Sequence, residues 1–124
     1  MIEVPVGYGE VIDKITILRI KTRRIEDPAR RAQAQTELGL LTDRWATSGL
    51  PWPEQAVDLE AVNEALWDVE DQLRRLEAAR TFGSDFVALA RSVYVHNDRR
   101  ARLKRSINEA LGSAIVEVKD YVDY

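Results

Sequence analysis

Four polar side chains near the C-terminal end of the chain recur at helical spacing: Asn97, Arg100, Lys104 and Asn108. Steps of three and four residues place side chains on one face of a helix, so we call these residues the polar strip. Arginine offers a planar fork that fits a carboxylate or phosphate, and lysine offers a point charge. Asparagine donates and accepts hydrogen bonds, which suits a sugar hydroxyl or an amide. The polar strip therefore predicts a site for a small anionic ligand.

Apolar residues occupy the same helical face as the polar strip. Leu89 and Val93 precede it, while Ile107 and Leu111 accompany its far end. A face of this kind should point toward a core. An unpaired buried charge costs several kcal/mol, so the cations of the strip need partners. Those partners are either side chains of other helices or a bound anion.

Two other predicted helices carry residues that could complete this site. Lys14 and Lys21 lie among isoleucines and could add positive charge, while Glu10 and Glu70 could hold the cations in place. Tyr94 and Asn97 would orient the ligand. The predicted binding residues are Lys14, Lys21, Tyr94, Asn97, Arg100, Lys104 and Asn108, and the predicted supporting residues are Glu10, Asp13, Asn63 and Glu70.

The residue types give little support to catalysis or to a metal site. His96 is the single histidine and there is no cysteine, so we predict no metal ligands, no catalytic triad and no cofactor. No glycine-rich phosphate loop is present. Two alternatives to a binding protein stay open. One is a cofactor-free enzyme that uses the same cleft, and the other is a structural oligomerisation module whose polar strip is an internal ion network.

The composition is typical of one soluble domain covering residues 1–124. The chain is 45% hydrophobic and 31% charged, with a net charge of −3. The negative total gives no support to nucleic-acid binding. No apolar run approaches the length of a membrane span and the N-terminus lacks a signal-peptide pattern, so we expect a cytoplasmic protein without a membrane partner.

Charge is distributed unevenly along the chain. Seven acidic residues and no basic one lie between Glu54 and Asp71. Six basic residues lie between Arg91 and Arg105 against one acidic residue, and six lie between Arg19 and Arg31 against two. These stretches could neutralise each other where helices pack, or they could leave positive charge for an anionic ligand.

The periodicity predicts an all-α fold, a small antiparallel helical bundle with short extended ends. The predicted helices span about residues 10–26, 28–46, 54–80 and 85–111. Asp27 and Pro28 form a clear helix start, Gly83 suits the end of the third helix, and Gly112 suits the end of the fourth. Residues 2–6 and 113–124 alternate in polarity and could pair as strands.

The first and third helices carry the strongest apolar patterns. The third has a heptad seam over nearly three heptads, formed by Leu59, Val62, Leu66, Val69, Leu73 and Leu76. The first is apolar on more than one side, since Ile12, Ile17 and Ile20 lie off its main seam. Such a helix is central in its bundle or lies at a subunit interface, and we expect a homo-oligomer.

Three strings of the sequence carry a resemblance to a known family: IEVPVGYGEVIDKITILRIKTRRIED, NEALWDVEDQLRR and FVALARSVYVHNDRRARLKRSIN. They resemble a family of short, uncharacterised bacterial and phage proteins, a domain of unknown function. The resemblance spans nearly the whole chain and includes the polar strip, but it implies no chemistry. IDKITILRIKTRRI also resembles the first helix of the all-helical chorismate mutases, which bind a dianionic substrate. In size and architecture the chain resembles small phage proteins that sequester signalling nucleotides.

Overall fold

The computed structural model describes residues 1–124 and contains four helices. They are α1 (Tyr8–Arg24), α2 (Pro28–Ser48), α3 (Ala56–Ala78) and α4 (Ser84–Leu111). The chain has no strand, which confirms the all-α prediction. Residues 2–6 and 113–124, which could have paired as strands, do not form strands. Two isolated strands without a packed face are marginal in water, and here side chains attach the segment after α4 to the bundle instead.

Helix α1 is the centre of the bundle, because it packs against each of the other three helices. Ile12, Ile15, Leu18 and Ile20 are all buried, although they point in different directions around the helix. A helix with three neighbours buries more than one face, which accounts for its apolar residues outside a single seam.

Helix α2 lies on the outside of the bundle. The Asp27 side chain accepts a hydrogen bond from the backbone N–H of Arg30 at 2.9 Å, which caps the helix start as predicted. The backbone of α2 packs against α1 alone among the helices. Only Ala34 and Trp45 of α2 are buried, and Leu38 and Leu41 pack partly buried against the core.

Helices α3 and α4 form a long antiparallel hairpin. Helix α3 ends when Arg80 takes a left-handed conformation with φ 51°, and the N–H of Thr81 then bonds to the carbonyl of Leu76 at 2.9 Å. Gly83 was predicted to end α3. It instead stands immediately before α4. An arginine therefore takes the backbone conformation that glycine usually takes at a helix end.

The core lies where α1 crosses α3 and α4. Ile12, Ile15, Leu59 and Ile107 are fully buried or nearly so, and Trp45 reaches them from α2. Ile107 is one turn from Lys104, so the polar strip borders the core directly. No helix of the chain is both long enough and apolar enough to cross a membrane.

Candidate functional site

Asp13 of α1 is the buried anion that faces the polar strip. Its side chain is 1% exposed. It accepts hydrogen bonds from Arg100 Nε at 2.9 Å and Arg100 Nη2 at 2.5 Å. Asn63 of α3 donates to the same carboxylate at 2.9 Å and to the Thr16 hydroxyl at 3.0 Å. A bidentate arginine and an amide thus satisfy a carboxylate that water cannot reach.

Lys104 lies one turn further along α4 and pairs with two other carboxylates. Its Nζ is 2.6 Å from Glu10 and 3.1 Å from Glu117. Glu117 belongs to the C-terminal segment (residues 113–124), which crosses back over α4. Lys119 binds the other oxygen of Glu117 at 3.2 Å, so two ammonium groups hold this carboxylate.

The last residue of the polar strip anchors the start of α1. Asn108 accepts a hydrogen bond from the backbone N–H of Gly9 at 2.8 Å, and Ser113 accepts one from the N–H of Tyr8 at 3.3 Å. These two residues satisfy N–H groups that have no partner within a helix. Gly9 is necessary for this contact, because a Cβ at this position would lie 2.3 Å from the backbone oxygen of Lys104.

A polar groove of about 260 Å³ opens above these ion pairs. Its lining includes Asn97, Arg100, Lys104, Lys119 and the carboxylates of Glu10 and Glu117. Three cations and two carboxylates therefore surround the groove, and Asp13 lies beneath it. The Arg100 side chain remains 29% exposed, so it is accessible from the groove.

An aromatic groove of about 610 Å³ adjoins the polar groove along α4. Its walls include Tyr94 and Asn97 from α4 and Tyr121 and Tyr124 from the C-terminal segment. Asn97 and Lys119 line both grooves. The Asn97 side chain makes no hydrogen bond within the chain, so it is free to bind a ligand. The Tyr124 hydroxyl donates to Asp98 at 2.5 Å, and its ring meets Tyr94 edge to face.

The ion pairs shift the pKa values of Arg100, Lys104 and Glu117 in the directions that keep each group charged. The hydrogen bonds to Asp13 outweigh desolvation and raise the pKa of Arg100. Burial by itself lowers the pKa of Lys104, but Glu10 and Asp13 overcome it and raise the pKa. Partial burial opposes the ionisation of Glu117, yet the hydrogen bonds from Lys104 and Lys119 lower the pKa of its carboxyl.

Several predicted site residues lie away from the grooves. Lys14 is exposed, and neither Lys14 nor Lys21 forms an ion pair or lines either groove. Glu70 is also exposed and makes no ion pair with the polar strip. Glu10, Asp13 and Asn63 do contact the strip or its partners, as described above.

The remaining basic stretch of α1 is largely neutralised by α3. Arg23 binds Glu64 at 2.5 Å, and Arg24 binds Glu64 and Asp68 at 3.2 and 2.5 Å. Arg24 therefore has a raised pKa, and the hydrogen bond that it donates to Asp68 is the main cause. This confirms the interpretation that oppositely charged stretches meet where helices pack, and it takes these cations out of the candidate site.

Sequence reasoning missed Glu117, Lys119, Tyr121 and Tyr124, all in the C-terminal segment. The alternating VEVKDYVDY was interpreted as a strand, so its side chains were not assigned to the site. The available signal was the mixture of acidic, basic and aromatic residues directly after a basic helix. No three acidic or histidine side chains converge closely enough to hold a metal ion.

These features define a small four-helix protein with a charged groove between its last helix and its C-terminal segment. The chain belongs to a family of unknown function (DUF6165), whose model matches residues 2–123. No curated protein and no solved structure matches the chain.

Proposed function

We propose that this protein binds a small anionic metabolite, a nucleotide or a sugar-phosphate, in the two grooves between α4 and the C-terminal segment. The polar groove would take the anionic group and the aromatic groove would take the ring. Together the grooves have the size of a small-molecule site, for which about 300–1,000 Å³ is typical. The polar strip supplies Asn97, Arg100 and Lys104, and the C-terminal segment supplies Lys119.

The observation that carries this proposal is the position of the Glu117 carboxylate between two lysines. Lys104 and Lys119 bind it at 3.1 and 3.2 Å, yet it belongs to a segment without helix or strand. The other two carboxylates are fixed on α1, where the backbone holds them. A carboxylate or phosphate of a ligand could replace Glu117 and bind the same two ammonium groups. A phosphate would also offer further oxygens to Arg100 and Asn97.

The neighbouring aromatic groove supports a ligand that carries a ring as well as an anion. Tyr94, Tyr121 and Tyr124 provide three aromatic side chains around one opening. Aromatic faces pack well against sugars and bases, and their hydroxyls can fix orientation. The free carboxamide of Asn97 lies at the junction, where it could read a hydroxyl or an amide of the ligand.

A thermal-shift titration tests this function directly. Inorganic phosphate, glucose 1-phosphate and adenosine monophosphate would each be added to the purified full chain. A ligand at 100 times its Kd stabilises the folded state by about 2.7 kcal/mol, which raises Tm by several degrees. We expect the ring-bearing phosphates to act at lower concentration than inorganic phosphate, because only they reach the tyrosines.

Two lysine variants make the test specific to this groove. Lys119→Met should abolish the shift, since it removes one of the two ammonium groups around Glu117. Lys14→Met is the matched control, because Lys14 is an exposed lysine outside both grooves, and it should leave the shift intact. A shift that survives in Lys119→Met, or no shift with any of these anions, would refute the proposal.

A second candidate is a structural module whose charges form only an internal network. The full satisfaction of buried Asp13 by Arg100 and Asn63 favours it. Under this candidate no anion raises Tm, and Lys119→Met changes stability without changing any binding.

A further inference from the structure

The outer half of the α3–α4 hairpin, residues 70–93, is the distal hairpin. It contains no buried residue, whereas the inner parts of the same two helices bury Leu59, Val62 and Ile107. Neither α1 nor α2 covers it, because α1 is shorter than the hairpin and α2 packs on α1. Two helices alone cannot enclose the apolar residues between them, so one side of their seam stays open to solvent.

Apolar side chains nevertheless continue through the distal hairpin. The heptad seam of α3 reaches Leu73 and Leu76, and both are only half-buried. On the turn and on α4, Phe82 and Val87 are each 51% exposed. A shallow groove of about 550 Å³ lies between the two helices, with Leu76, Ala88 and Leu89 in its walls.

The charges of the distal hairpin suit a partner of the same composition. It carries four acidic and four basic residues, and none of the eight forms an ion pair within the chain. The groove itself is bordered by one residue of each sign, Arg75 and Asp85. A surface with balanced, unpaired charges complements itself across a twofold axis, whereas nucleic acid or an anionic membrane would require an excess of cations.

The exposed area of the chain is large enough to accommodate such an interface. The chain exposes 8637 Å². A monomeric protein of 14.1 kDa is expected to expose about 6,700 Å², so the excess is about 1,900 Å². The extended residues at both ends account for part of it. A standard interface needs only about 800 Å² from each partner, which is less than half of the total excess.

We infer that two copies of this chain associate through their distal hairpins into a four-helix bundle about a twofold axis. The open seam of one copy covers that of the other, with Leu76 and Leu89 at the centre. Arg75 of each copy meets the partner's Asp85. This interface is separate from the grooves proposed to bind the ligand, and it does not depend on that function.

Sedimentation velocity on the full chain between 1 and 100 μM tests the inference. We expect a species of twice 14.1 kDa. Ala88→Asp places a charge in the wall of the groove and should shift the protein to monomer, because Ala88 is exposed and lies beside Leu89. Val57→Asp is the matched control, since Val57 is 74% exposed at the other end of α3, and it should remain a dimer. Circular dichroism checks that each variant keeps its helices.

A charge exchange tests the geometry of the interface. Asp85→Arg and Arg75→Asp should each weaken the dimer at least about tenfold, because they set like charges against each other across the axis. The double variant should recover most of that loss. A monomer at 100 μM would overturn the inference, as would a dimer that neither Ala88→Asp nor Asp85→Arg weakens.

Discussion

Two carboxylates of α1, Asp13 and Glu10, show how the stability that an ion pair contributes depends on its exposure. Asp13 and Glu10 are less than one turn apart, and both face cations of α4. Asp13 is enclosed at 1% exposure, whereas the Glu10 side chain is 35% exposed. A buried charge pair has no water to replace a lost partner, so the two positions should respond very differently to neutralisation.

Neutralising Asp13 should therefore be far more costly than neutralising Glu10. We expect Asp13→Asn to lower the free energy of unfolding by about 3 kcal/mol, because Arg100 then loses its partner at a half-buried position. Glu10→Gln should cost about 1 kcal/mol or less, since its pair is partly solvated. Urea unfolding of both variants measures the difference. Equal losses would contradict the argument that the burial of Asp13 makes its ion pair harder to replace.

Two glycines show how the environment of a helix decides the effect of the same substitution. Gly39 lies in the interior of α2, and a Cβ there would meet nothing within 4 Å. Gly9 lies in α1, where a Cβ would stand 2.3 Å from the backbone oxygen of Lys104. Gly39 lies in the middle of α2, where alanine favours the helix over glycine, whereas Gly9 is the second residue of α1 and gains less from the same change.

We expect the two alanine variants to change stability in opposite directions. Gly39→Ala should raise the free energy of unfolding by about 1 kcal/mol, because alanine restricts the unfolded chain and clashes with nothing. Gly9→Ala should lower it by about 2 kcal/mol or more, because α1 and α4 must move apart. Thermal unfolding measures both, and a stabilised Gly9→Ala would contradict the close approach of the two helices.

For the molecule as a whole, the paired groups at the polar groove set the pH range over which the C-terminal segment stays attached. The pKa of Glu117 is lowered from its ordinary value of 4.5, so its stabilising effect is complete above that value and is lost as the pH falls through the lowered pKa. The pKa of Lys104 is raised from 10.5, so its effect is complete below that value and is lost only as the pH rises through the raised pKa.

Comparison of the wild type with Glu117→Gln across pH tests this range. Between about pH 5 and 10 the wild type should be more stable by about 1 kcal/mol or less, a small amount because Glu117 is 44% exposed. The difference should vanish on the acidic side below the lowered pKa. Thermal unfolding in buffers from acidic pH to pH 10 measures it, and a difference that does not shrink as the pH falls below 4.5 would assign the effect to something other than the charge of Glu117.

The sequence predicted the features that follow from local pattern. Helical periodicity predicted all four helices, and the Asp27 cap predicted the start of α2. The mixture of apolar and polar residues on one face of α4 predicted that Lys104 and Asn108 are buried. It did not predict the path of residues 113–124. Alternating polarity is equally consistent with a strand and with an extended segment that lies over a helix. The ion pair between Glu117 and Lys104 of α4 holds the segment over the helix, and local pattern does not reveal that pair.

The turn between α3 and α4 was beyond sequence reasoning for a related reason. Arg80 adopts the left-handed conformation although Gly83 is three residues away. Propensity favours glycine there, but the hairpin must turn where the two helices still pack, and this requirement fixes the last turn of α3. The hydrogen bond from the N–H of Thr81 to the carbonyl of Leu76 at 2.9 Å offsets part of the local cost.

Helix α2 buries few residues against the bundle, which has a consequence for how the protein opens. Its backbone packs against α1 alone, and Ala34 and Trp45 are its only buried residues. Native proteins open in cooperative units whose free energies follow their buried contacts. Helix α2 would therefore detach at a lower free energy than the unfolding of α1, α3 and α4 together. Such an opening would uncover one face of α1 while the ion pairs of Asp13 and Lys104 stay intact.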